Sequence, residues 1–167
     1  MNQFVNSKTR DIKLPAGCKD LIDVLEKRRR KQAPAAGRMK HIEAYLSRVL
    51  ESKAIFRGLI ISSSDYQMYL LVGHHSKGVF PGTTLTLEVD CGTEREETVR
   101  LLFGESGILP IQDAVMSNAE VTSRLFVCPL PATAPIASKL VTELLRRVYG
   151  LRSNAKLNFH YAENDAA

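Results

Sequence analysis

Two stretches, AIFRGLIIS at 54–62 and YQMYLLVG at 66–73, are almost unbroken in apolar side chains and flank a Ser-Ser-Asp turn at 63–65. Successive side chains of a strand point to opposite faces. Runs of this kind therefore bury both faces and belong at the centre of a sheet. The chain must then supply cover for that sheet from elsewhere in its length.

The other strands read differently. TLTLEVD at 84–90 alternates, with Leu85, Leu87 and Val89 set against Thr84, Thr86, Glu88 and Asp90, which predicts one buried and one wet side. CGTERE at 91–96 reads as a turn and TVRLLFG at 98–104 as the returning strand of a hairpin. On that reading Glu94, Glu96 and Glu97 form a solvated acidic loop. EVTSRLFVCPL at 120–130 is a further strand, and AKLNFHYAE at 155–163 the last, with Leu157, Phe159 and Tyr161 on one face.

Cover comes from amphipathic helices. Met39, Ile42, Tyr45, Leu46, Val49 and Leu50 recur at steps of three and four, with Lys40, Glu43, Ser47 and Glu51 between them. PATAPIASKLVTELLRRVYG at 131–150 is the strongest helix. Pro135 suits its first turn, Ile136, Leu140, Val141, Leu144, Leu145 and Val148 form its stripe, Arg146 and Arg147 suit its negative end, and Gly150 terminates it. ESGILPIQDAVMSNA at 105–119 reads as a loop and a short helix that begins near Pro110. Near the N-terminus, LPAGCKDLIDVLE carries an apolar stripe of Leu21, Ile22, Val24 and Leu25 that stops at Leu25, and APAAG at 33–37 reads as a linker.

The order shows no regular βαβα alternation. The expected fold class is α+β: a mixed, mainly antiparallel sheet of about five to six strands packed with two to three amphipathic helices, plus a basic N-terminal helical arm. Residues 1–37 form that arm (a flexible start, a short helix and a linker), 38–163 a single globular domain, and 164–167 a frayed tail. The helix–sheet–helix order at this length is similar, in element order alone, to small bacterial chaperone-like modules of the secretion-chaperone type, a likeness that implies no site residues.

Charge is segregated along the chain. Residues 1–40 hold 11 Lys and Arg against 4 Asp and Glu, a balance of +7, and the remaining residues balance to −2. Any contact with a polyanion must therefore involve the arm. Its core is Lys27, Arg28, Arg29, Arg30 and Lys31, with Arg38 and Lys40 beyond. Five consecutive helical residues turn through about 500°, so they cannot share one face. The plainest reading is a solvated helix end that complements its own dipole. The alternatives are nonspecific contact with nucleic acid and contact with an acidic protein or membrane surface. No aromatic stands within 18–40 to stack on bases.

Catalytic signatures are weak. GHHSKG at 73–78 lacks the P-loop frame and precedes a strand, so it reads as a polar loop. His74 and His75 are neighbours, which on a strand point apart and share no metal. Ser106 in GESG is one residue short of a nucleophile elbow. Cys18 lies beside Lys19 near a helix start, where thiol pKa values fall. The three cysteines, Cys18, Cys91 and Cys128, match neither a disulfide framework nor a zinc site, and they read as reduced thiols.

These features favour a non-enzymatic, adaptor-like or chaperone-like module that binds another protein or itself. Nonspecific nucleic-acid binding is the first alternative, and an enzyme with a pocket assembled from distant residues the second. No cofactor or metal is expected. No apolar run reaches the ~18 residues of a membrane span, and no secretory signal is recognisable, so the cytoplasm is the expected location.

Overall fold

The computed structural model describes residues 34–63, 68–75, 82–117 and 122–164. Among the described residues seven strands form one sheet: β1 (Ala35–Arg38), β2 (Phe56–Ser63), β3 (Tyr69–His75), β4 (Gly82–Asp90), β5 (Gln112–Ser117), β6 (Thr122–Pro129) and β7 (Lys156–Asn164). Their spatial order is β1-β7-β2-β3-β4-β6-β5. Every neighbouring pair is antiparallel. Three described helices accompany them: α1 (Ile42–Glu51, entered through a 3-10 turn at Met39–His41), α2 (Glu94–Glu105) and α3 (Ala134–Arg147). The α+β class holds, with an antiparallel rather than a mixed sheet. The expected arm before residue 34, including the helix expected there and the basic run, lies outside the described residues.

The register divides the sheet into two faces. Leu59 and Ile61 of β2 align with Val72 and Leu70 of β3, which align with Leu85 and Leu87 of β4, then with Cys128 and Phe126 of β6. Phe159 and Leu157 of β7 continue that surface. These side chains share one buried cluster with Ile42, Leu46 and Val49 of α1, Val99, Leu102 and Phe103 of α2, and Leu140, Val141, Leu144 and Leu145 of α3. All three helices thus cover the same face. Tyr45 of α1 stacks on Phe159 with ring centres 4.3 Å apart, and Phe103 of α2 meets Phe126 edge-on at 5.9 Å.

Several readings of the sequence need correction. APAAG is no linker, since Ala35–Arg38 pairs with β7 as an edge strand. Small side chains permit this: a Cβ on Gly37 would stand 2.6 Å from Cε2 of Phe159. The supposed hairpin at 91–104 is α2. Thr93 is extended at its N-cap, Glu94, Glu96 and Glu97 fill its positive first turn, and Val99, Leu102 and Phe103 are spaced for one buried side. The short helix expected after Pro110 is β5, which pairs with β6 from Gln112 to Ser117. His74 and His75 belong to β3 rather than to a loop. Ile136 is exposed, and Ala134 and Ala137 hold the buried positions of that turn. Finally, Thr84 and Thr86 of β4 are buried rather than wet.

Gly150, at φ +66°, follows α3 in the left-handed conformation expected of a helix terminator.

Candidate functional site

Most of the sequence-predicted candidates are scattered. Cys18 and residues 27–31 lie outside the described residues. Arg38 and Lys40 are exposed at the β1 edge, where the Arg38 backbone N–H donates to Nδ1 of His41 at 3.0 Å. Ser106 is an exposed residue that ends α2, its N–H donating to the Leu102 carbonyl at 3.0 Å. His75 pairs with Gly82 through the strand backbone. The Cys128 thiol is inert, because burial pushes its pKa up to about 12. Among the described residues no cluster of three or more His, Cys, Asp or Glu is placed to hold a metal.

His74 does join other polar side chains. One cross-strand row on the helical face reads Glu163, Arg57, His74, Thr83 across β7, β2, β3 and β4. Arg57 is only 6% exposed. Its Nη1 donates to the Ala54 carbonyl at 3.4 Å, while Nε has no hydrogen-bond partner. Burial lowers its pKa, opposed by Tyr161 and Glu163. Glu163 accepts from Tyr161 Oη at 2.8 Å and from Ser52 Oγ at 3.0 Å. His74 Nδ1 lies 2.8 Å from Thr83 Oγ1.

A hydroxyl beside an imidazole is half of an activated nucleophile, but catalysis also needs an orienting group and a cleft. An open groove of about 690 Å³ lies elsewhere, against the C-terminal end of α3, lined in part by Glu143, Arg146, Arg147 and Arg152. Two of its arginines are already matched, Arg146 with Glu143 at 3.6 Å and Arg147 with Glu105 at 2.5 Å. The polar row lies at the end of the core, with Arg57 buried in its middle and Glu163 exposed on β7.

The α2–β5 side of the molecule is different. Among the described residues, β5 pairs only with β6 and leaves its outer edge open. Val115 at the middle of β5 is 51% exposed, and Leu109, in the connection from α2, is 83% exposed. Leu101 on α2 is also exposed. The charged side chains nearby are turned to one another. Arg100 reaches Asp113 at 2.6 Å and Glu96 at 3.1 Å, and Arg124 Nε lies 2.8 Å from Asp113 and 3.2 Å from Glu96. The Arg100 guanidinium also sits 5.1 Å from the Phe126 ring centre. Two cations and two carboxylates are thus neutralised, and the Val115 side chain stands exposed beside them.

No protein-family model, curated protein or solved structure matches the chain.

Sequence reasoning passed over both features. Arg57 was visible as a lone charge inside an apolar run, a pattern that signals a buried ion. Leu101 and Val115 are hidden because TVRLLFG at 98–104 reads as a strand and ESGILPIQDAVMSNA at 105–119 as a loop and a short helix that begins near Pro110.

The charge network has a measurable acid signature. The Gly92 N–H, donating at 2.7 Å, holds the Glu96 carboxyl below its ordinary value of 4.5, with help from Arg100 and Arg124 against the opposing effect of burial. A carboxyl whose pKa is lower folded than unfolded stabilises the fold above its unfolded value and loses that contribution as pH falls through the folded one. The urea midpoint should therefore decline as pH drops below about 4.5, and Glu96→Gln should flatten the decline. Glu105, held low chiefly by Arg147, leaves a residual slope. An unaltered slope in the Gln variant would remove Glu96 from this role.

Proposed function

We propose that this protein is a non-enzymatic interaction module that associates with a second copy of itself along β5. One observation carries the reading: Val115 is exposed at the centre of an edge strand whose outer side has no partner among the described residues. Folded proteins protect such edges with lysine, proline, bulges or a covering element. The β5 sequence QDAVMS offers no lysine and no proline. Its single charge, Asp113, is engaged by Arg100 and Arg124. Antiparallel pairing of two such edges joins two sheets and covers Val115, and it is self-complementary, as a two-fold interface requires. Leu101 and Leu109 supply further apolar surface on the same α2–β5 segment.

Light scattering on the purified chain tests this directly. The expected mass is twice 18.6 kDa at micromolar concentration. A mass of one chain throughout the accessible concentration range would end the proposal.

The charge segregation favours a second reading, in which the arm binds nucleic acid without sequence preference. Affinity should then fall steeply with salt, and neutralising Lys27, Arg28, Arg29, Arg30 and Lys31 should abolish it. Salt-insensitive binding, or none at low salt, rejects this reading.

A further inference from the structure

The face of the sheet away from the helices is buried. Its central row runs Ile60, Leu71, Thr86, Val127 across β2, β3, β4 and β6. Leu71 is 5% exposed, Thr86 8% and Val127 2%. The adjacent row, Ala162, Gly58, Gly73, Thr84, is made of small side chains and forms a shallow trough beside the first. On an open sheet face the outer ends of such side chains stay in water. Here even Ser62 Oγ and Gln112 Oε1, on the same face, are shut off from water without a hydrogen-bond partner. None of the three described helices supplies this cover, since their apolar sides are spent on the opposite face.

We propose that residues 14–25 of the same chain lie on this face and form its second layer. The segment carries apolar side chains at helical spacing, Leu14, Cys18, Leu21, Ile22 and Leu25, and with the helical face filled they have this surface to bury against. The stripe stops at Leu25, where the basic run begins. The connection is long enough. From β1 to β3 is three strand spacings, about 14 Å. The eight residues from 26 to 33 span up to about 26 Å when extended. The domain would then have three layers, with residues 27–31 emerging at its rim.

The test uses the full chain carrying Thr86→Cys, with alkylation at each thiol followed by peptide mass spectrometry. Position 86 should react slowly, and Leu21→Asp with Leu25→Asp should accelerate it at least 10-fold. Cys128, buried under the helical face, serves as the internal control for unfolding. If it too becomes reactive, the milder pair Leu21→Ala with Leu25→Ala replaces the aspartates. A rate unchanged by the substitutions overturns the proposal. Protection that disappears on dilution also overturns it, because the cover is then a second copy.

Discussion

Phe126→Ala is expected to remove about 3–5 kcal/mol of stability, the usual cost of deleting a buried aromatic. Phe126 is fully buried in β6 and belongs to the main core cluster. It touches the molecule on two sides, meeting the edge of Phe103 in α2 and lying under the Arg100 guanidinium. Truncation leaves a cavity that α2 cannot fill, because Val99 and Leu102 are already committed to the core. The arginine also loses the surface that positions it toward Glu96 and Asp113. Urea unfolding should show a lower midpoint with an unchanged slope. Ile136→Ala is the matched control. The sequence pattern alone put Ile136 in the core stripe of α3, yet it is exposed, so its loss should stay within about 0.5 kcal/mol. A loss below about 1 kcal/mol at Phe126 would mean that α2 is not anchored as described.

The contrast between these two residues marks where the sequence is legible. β2, β3, β6, β7, α1 and α3 could be read because their apolar spacing is either continuous or periodic over a long window. Helix α3 was recognisable from Leu140, Val141, Leu144 and Leu145, yet its first turn is a near tie between Ile136 and Ala137. Only the direction of the helix axis against the sheet settles which of them is inside. The segment 94–117 failed for a related reason. VRLLF holds three adjacent apolar residues, which suit a strand as well as a helix, and the acidic residues before it suit a turn as well as a helix N-terminus. QDAVMS is too short for either period to dominate, and β6 supplies the partner that makes it a strand. The candidate interaction edge is built from this misread segment, so no local pattern could have pointed to it. The buried second face was foreshadowed more clearly. The runs in β2 and β3 demanded cover on both sides, while the threonines of β4 suggested water on one of them. The sheet resolves this conflict in favour of its neighbours: Thr86 sits between Leu71 and Val127 and shares their environment.

If β5 is where two copies meet, Val115→Asp should convert the dimer to a monomer with the fold intact. A two-fold axis at Val115 sets that side chain against its own copy and Asp113 against Ser117 of the second copy. Both contacts then stay on one face of a continuous sheet, as the strand period requires. An aspartate at 115 places two carboxylates opposite each other on neighbouring strands, where like charges repel, and removes the apolar pair that favoured association. The dissociation constant should rise at least 100-fold, a change of about 2.7 kcal/mol. The monomer's urea midpoint should scarcely move, because Val115 is exposed and contributes little to the described core. Val115→Thr keeps the β-branched shape and adds no charge, so it should retain most of the association. This pair separates an edge interface from one formed elsewhere. A dimer that survives the aspartate places the contact away from β5. Loss of the fold together with the dimer would instead show that Val115 supports the subunit, contrary to its exposure. If the threonine and aspartate variants weaken association equally, the interface depends on the valine's packing and not on the charge environment of the edge.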